Sequence, residues 1–289
     1  MFKKILVPLD GSQLSEFALN PALALAKANK AELLLMSAVL EKGKVEIDEH
    51  TSTRPAPDTQ PMLARMQDYL NRIAELRAGT GITFRTLVLE GNATNCILET
   101  AVSEQVDLII MGTHGRSGFS RFLLGSTTQK VWHQAPCPVM AVRDDHPIQH
   151  ILMPIDQMVL AEHGLDLTFI VGGALSAQVH LLLVSQDSAL MHGDEIDIAP
   201  GEKPFSQKLV EDIYSQEGAY LDDLQDRYGA ARPITAVRGG KTEDVVLDYT
   251  AENNIDLIVC RPSHRHWFQK SINEKVMRES QSSILVLRN

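Results

Sequence analysis

Short, almost uninterrupted apolar runs alternate with longer amphipathic stretches along this chain. Residues 4–9, 32–39, 82–89, 106–111 and 138–143 are such runs in the first half. Apolar runs of this length without a polar alternation read as strands buried on both faces. Between them, Ser12 can cap a helix over about 13–29, where alanine and leucine recur at helical spacing. Pro21 lies inside that stretch and predicts a kink or a local break. Residues 40–60 hold Gly43, Pro55, Pro57 and many polar side chains and read as a loop. Further helices are expected from Pro61 to about 78, from an Asn92 cap to 105, and over about 126–134.

The pattern then starts again. Lys3-Lys4-Ile5-Leu6-Val7-Pro8-Leu9-Asp10 returns as Gln149-His150-Ile151-Leu152-Met153-Pro154-Ile155-Asp156. Val106-Asp107-Leu108-Ile109-Ile110-Met111 returns as Ile255-Asp256-Leu257-Ile258-Val259-Cys260. Same-order matches at so long a spacing mean a duplicated domain, not a solenoid. The expected domains are 1–146 and 147–289, joined at the short polar stretch before Pro147. The second half repeats the plan, with strands near 150–155, 178–185, 233–237, 255–260 and 283–288, and a long amphipathic stretch over 206–228.

Strands alternating with helices imply an α/β fold. The expectation is two tandem, doubly wound parallel sheets of five strands each, with helices on both faces. Ligands of such sheets sit beyond the carboxyl ends of the strands, where the strand order reverses. The last strands of both halves, near 139–142 and 284–287, are apolar, and unpaired they would be hazardous edges. Pairing them antiparallel gives an internal pseudo-dimer; a further homodimer stays open.

Composition narrows the function. The chain has 289 residues, 27 Lys+Arg against 37 Asp+Glu, and a net charge of −10. That balance argues against non-specific binding to nucleic acid or to an anionic membrane. No apolar run reaches the roughly 20 residues of a membrane span. The N-terminus meets Pro8 and Asp10 too soon for a signal-peptide core. Cys96, Cys137 and Cys260 form no paired motif, which favours a reducing cytoplasm. The charge is uneven. Residues 1–146 hold 15 basic and 16 acidic side chains, whereas 147–289 hold 12 and 21. The second half is the poorer host for an anion.

The candidate chemistry lies in residues 112–128, Gly-Thr-His-Gly-Arg-Ser-Gly-Phe-Ser-Arg-Phe-Leu-Leu-Gly-Ser-Thr-Thr. Glycines let backbone N–H groups approach a phosphate, and a helix starting near Ser126 offers free N–H groups and a positive dipole end. Arg116 and Arg121 can add charge. Gly112, two residues, Gly115, nine residues, then Gly125-Ser126 resembles the signature of the universal stress proteins. Pro8-Leu9-Asp10-Gly11-Ser12, the alanine-rich helix after it and Cys137-Pro138-Val139-Met140-Ala141-Val142 are similar to that family too, so the whole chain resembles its tandem form.

The resemblance implies ATP, or ADP or AMP, in the first half, alone or with magnesium. It places Asp10 by the adenine or ribose, near Pro8 and Gly11. It places Ala38 against the adenine, and Met111 and Gly112 along the base and ribose. Gly115, Arg116, Gly125, Ser126 and Thr127 would approach the phosphates. Structural alternatives stay open: Asp10 as a helix cap, Met111 as core packing. The second half has Arg261, His264 and Lys270 where the first has Gly112, Gly115 and Gly125, and Gln157 for Gly11. Its loop is also four residues shorter. It is expected not to bind ATP in the family's manner, although another ligand stays open. His264 and His266 lack a companion cysteine or acidic ligand, so no metal site is assigned. The implied role is regulatory, in a cytoplasmic stress response. There is neither a Gly-x-x-x-x-Gly-Lys-Ser/Thr loop nor the Ser-Gly-Gly-x-Asp-Ser stretch of ATP pyrophosphatases. Slow ATP hydrolysis and a ligand-free interaction scaffold remain as alternatives.

Overall fold

A computed structural model describes residues 1–40, 59–113, 125–155, 162–185, 224, 226–260, 275–276 and 278–288. The chain divides into two compact units: Met1–Pro147 with Ser283–Asn289, and Ile148–Ser282.

In the first unit, β1 (Lys4–Pro8), β2 (Glu32–Val39), β3 (Thr83–Glu90), β4 (Leu108–Gly112) and β5 (Val139–Val142) pair in parallel, in the order β3-β2-β1-β4-β5. The helices are α1 (Gln13–Glu16), α2 (Leu19–Asn29), α3 (Thr59–Glu75), α4 (Ala93–Ser103) and α5 (Ser126–Gln134). The strand order reverses between β1 and β4, so the ends of those two strands form the switch point. Leu6, Leu34, Met36, Ile109 and Met111 pack on one face against Cys96, Ile97 and Ala101 of α4 and Val131 of α5.

The helix expected over 13–29 is two helices. Phe17 ends α1, and Pro21 lies in the first turn of α2. A proline there loses no intrahelical bond, but its ring crowds the carbonyl four residues back, which is that of Phe17. The break therefore falls ahead of the proline. Asn92 does cap α4, accepting from the N–H groups of Thr94 (3.0 Å) and Asn95 (3.3 Å).

The last strand is the other difference. By its contacts β10 (Ser283–Val286) belongs to the first unit, where it pairs antiparallel with β5, Leu285 opposite Met140. Each half of the sequence thus supplies five strands among the described residues, as expected, and the contacts group the fifth strand of the second half with the first unit. The antiparallel pairing of the two last strands, expected from their apolar character, is present.

In the second unit β9 (Leu257–Cys260), β6 (His150–Ile155), β7 (Gln178–Ser185) and β8 (Ile234–Gly239) run parallel in that order. Its helices include α6 (Glu162–Leu175) and α7 (Thr242–Glu252). The stretch over 206–228 lies mostly outside the described residues. Where it is described, Tyr228 stacks on Phe169 of α6 at 4.2 Å and donates its hydroxyl to Asp166.

The repeated Val/Ile-Asp motif has the same task in both units. One carboxylate oxygen of Asp107 accepts from the N–H groups of Lys3 (2.6 Å) and Lys4 (2.8 Å). Asp256 does the same for Gln149 (2.8 Å) and His150 (2.9 Å). Each aspartate anchors the opening of the unit's first strand with charge-assisted bonds. Asp107→Ala and Asp256→Ala are each expected to cost about 1–3 kcal/mol by leaving those N–H groups short of a partner. Chemical denaturation of the full chain checks this.

Candidate functional site

The switch point of the first unit is built from the two segments that leave β1 and β4. After Pro8, Leu9 N–H still donates to Met36 O at 2.7 Å, holding the strand end against β2. The chain then turns. Gly11 has φ of 81°, in the left-handed region that favours glycine. Asp10 accepts on Oδ1 from the N–H (2.9 Å) and the hydroxyl (2.6 Å) of Ser12. Ser12 Oγ in turn accepts the N–H of Ser15 at 3.2 Å and is the N-cap of α1. Asp10 is thus not the cap; it orients the cap. Ser15 completes the ring, accepting from the Asp10 N–H (3.3 Å) and donating to Ser12 O (2.8 Å).

Tyr69 reaches this turn from α3 and donates its hydroxyl to Glu16 at 2.8 Å. Burial, the bond to Glu16 and the charges of Glu16 and Asp10 push the Tyr69 phenol well above its ordinary range. It therefore stays a neutral donor throughout the physiological range. No sequence motif marks Tyr69: it sits on an amphipathic helix 53 residues from its partner.

On the other side, Gly112 ends β4. A Cβ there would stand 2.5 Å from Leu14 O and 3.1 Å from Ser15 Cα. The need for glycine at this position thus comes from the backbone of α1, before any ligand is considered. Gly112 O accepts the hydroxyl of Thr128 at 3.0 Å, and Thr113 O accepts the N–H of Gly125 at 2.7 Å. These two bonds fasten the start of α5 to the end of β4. Gly125 is the N-cap of α5 and has no side chain to bond the first-turn N–H groups. The first intrahelical bond to Gly125 O comes from the N–H of Gln129, so the N–H groups of Ser126, Thr127 and Thr128 have no acceptor within the helix. No acidic side chain lies in that turn. The arrangement suits an anion.

Of the expected site residues, Pro8, Asp10, Gly11, Gly112, Gly125, Ser126 and Thr127 all lie at the β1 and β4 ends or at the start of α5. Met111 is only 5% exposed and packs in the core beneath the strand ends. Ala38 is half-buried on β2 against the same cluster. Gly115 and Arg116, with the rest of 114–124, lie outside the described residues. So do Gln157, Arg261, His264, His266, Lys270 and Ser271 of the second half. Among the described residues no group of three or more His, Cys, Asp or Glu could hold a metal ion, and no helix is long and apolar enough to cross a membrane. All three cysteines are free and buried, and burial pushes the thiols of Cys137 and Cys260 up to about 12.

Comparison with known proteins points to one family. A universal stress protein of Thermus aquaticus is 36% identical over 151 residues, covering 50% of this chain and 100% of that one. One of Methanocaldococcus jannaschii is 32% identical over 148 residues, covering 50% of this chain and 83% of that one. A crystal structure described as a putative universal stress protein from Pseudomonas aeruginosa covers 99% of this chain and 93% of its own, with a TM-score of 0.70 at 18% identity. That last likeness speaks for the fold. The profile of the universal stress protein family matches twice, over residues 1–143 and again over 147–288, and the chain therefore belongs to that family as a tandem member.

Proposed function

We propose that the first unit binds ATP or a related adenine nucleotide, ADP or AMP, alone or with magnesium, as the ligand-sensing half of a stress-response regulator. The observation that carries this reading is the uncapped start of α5, held by Thr128 and Gly125 at the same switch point as the Asp10 turn. Phosphate oxygens would accept from the N–H groups and hydroxyls of Ser126 and Thr127, with the helix dipole favouring their charge. The Asp10 carboxylate, oriented by Ser12, would accept from ribose hydroxyls. We favour retention of the nucleotide over turnover, and steady phosphate release from added ATP would overturn that preference.

The second unit is proposed not to bind nucleotide in this manner. Arg261, His264 and Lys270 bring side chains to the positions where the first half has three glycines, in a half with more acidic charge. We read the β5–β10 pair as the intramolecular counterpart of a contact between two last strands, which removes the need for a second copy at that edge.

Native mass spectrometry and calorimetric titration of the full chain with ATP test the proposal. One nucleotide per chain is expected. Ser126→Pro removes one N–H and one hydroxyl at the first helical position, where proline is well tolerated. It should weaken ATP about a hundredfold, the loss of two charge-assisted bonds, without lowering the melting temperature of the unliganded protein. Ser271→Ala should change nothing. A wild-type protein that neither retains nucleotide nor responds to millimolar ATP would end the nucleotide reading. Equal losses from Ser126→Ala and Ser271→Ala would restore the second unit as a site.

A further inference from the structure

The second unit carries a buried polar chain whose central residue, His180, stands where the first unit has an apolar one. His180 on β7 is 2% exposed. Its counterpart is Leu34. Glu32 donates its N–H to Lys3 O (2.8 Å) and pairs with Lys4; Gln178 donates to Gln149 O (2.7 Å) and pairs with His150. Two residues further along each strand stand Leu34 and His180. By the same logic Tyr249 of α7 corresponds to Thr100 of α4, since Thr250 O and Ala101 O accept equivalent bonds from Ile255 and Val106.

Both ring nitrogens of His180 are engaged. Nε2 lies 3.1 Å from His150 Nδ1, and Nδ1 lies 3.1 Å from Tyr249 Oη. Tyr249 is itself 4% exposed. Neighbouring rings meet edge-on, at interplanar angles of 67° and 76°. Around this chain, β6 contributes His150 and α7 contributes Tyr249. Beside Tyr249 stand Arg238 of β8 and Glu252, which pair with each other at 3.3 Å. Asp256 is held by the backbone N–H groups of Gln149 and His150. No carboxylate is bonded to either imidazole among the described residues.

Proton counting shows what this arrangement tolerates. A neutral imidazole has one donor and one acceptor, so with both histidines neutral every link can be satisfied. One added proton on His180 places a cation in the interior without an anionic partner, which is costly. Two added protons set N–H against N–H across the 3.1 Å link. Burial, and the neighbouring His150, hold His180 below the usual histidine range.

We propose that the His150–His180–Tyr249 chain is an acid-sensitive latch that couples the folding of the second unit to pH. Above about pH 6.5 the buried His180 is neutral in the folded and in the unfolded state, and the stability is fully present. Below it, the unfolded chain protonates His180, while the folded unit, which buries that ring, does not. Stability is therefore lost as pH falls through the unfolded value towards the lowered folded one. From about pH 7.5 to about 5.5 the opening equilibrium is expected to rise about tenfold per missing proton.

Hydrogen exchange read by mass spectrometry on the full chain tests this, with rates corrected for the intrinsic effect of pH. Peptides spanning 150–155 and 178–185 should open about tenfold more at pH 5.5, while those spanning 4–8 and 32–39 keep their protection. His180→Leu, which installs the residue of the matched position, should remove the pH response. A His180→Leu protein that keeps the wild-type response overturns the latch. If that variant fails to fold, the ring resonance of His180 in the wild-type protein decides. A midpoint near about 6.5 overturns the proposal, and one well below it supports it.

Discussion

Gly112→Ala is expected to lower the stability of the first unit by about 1–3 kcal/mol, with a larger loss for Gly112→Val. The added methyl would lie 2.5 Å from Leu14 O, inside any tolerable contact distance. The obstructing atom is backbone in a four-residue helix, so no side chain can rotate away. Either α1 or the end of β4 must move. Moving α1 disturbs the ring of bonds among Asp10, Ser12 and Ser15. Moving β4 loosens the Thr128 bond to Gly112 O and the Gly125 bond to Thr113 O. The same substitution should therefore also weaken ATP if the proposed site is right. Urea unfolding checks the stability term, which should appear as a lower midpoint with an unchanged slope. Gly173→Ala is the control. Gly173 is exposed in α6 with open space around it, and alanine there is expected to stabilise by about 0.5–1 kcal/mol. Equal effects at both positions would show that the close approach at Gly112 is unimportant.

Ending the chain at Ser282 is expected to have a still larger effect. It removes Ile284, Leu285, Val286 and Leu287, each at most 4% exposed. Burial of four such side chains contributes on the order of 6–12 kcal/mol as an upper estimate. That is comparable to the whole stability of an ordinary domain, about 5–15 kcal/mol. The truncation also strips β5 of its antiparallel neighbour and leaves Val139–Val142 as an apolar edge. The shortened protein should be recovered as aggregate, or should lose protection in β5 first when followed by hydrogen exchange. A soluble truncated protein with unaltered first-unit protection would show that β10 is dispensable to that unit.

Much of the architecture was legible because it depends on short-range pattern. Strands buried on both faces must be apolar almost throughout, so residues 4–9 and 32–39 declared themselves. The Asn92 cap and the α5 boundaries at Ser126 and Gln134 followed from local chemistry. The break between α1 and α2 was only half legible, since Pro21 announced it but the crowded carbonyl four residues earlier placed it. Within the candidate site, the glycines and hydroxyls of the two strand ends were visible as motifs. Tyr69 was not, because a hydroxyl on an amphipathic helix carries no signal until its partner is known. His180 had a signal, a lone imidazole inside an apolar run aligned with Leu34 through the repeat.

The sequence by itself determined the α/β class, the duplication, the family and the segments that meet at the first unit's switch point. These rest on periodicity and on ordered local motifs, which a linear chain displays in full. Only the tertiary structure decided that the last strand belongs with the first unit and that Leu14 demands glycine at 112. It alone decided that Asp10 orients Ser12 instead of capping a helix, and that His180 joins His150 and Tyr249. Each of those is a matter of distance between atoms after folding, and residue type along the chain does not encode such distances.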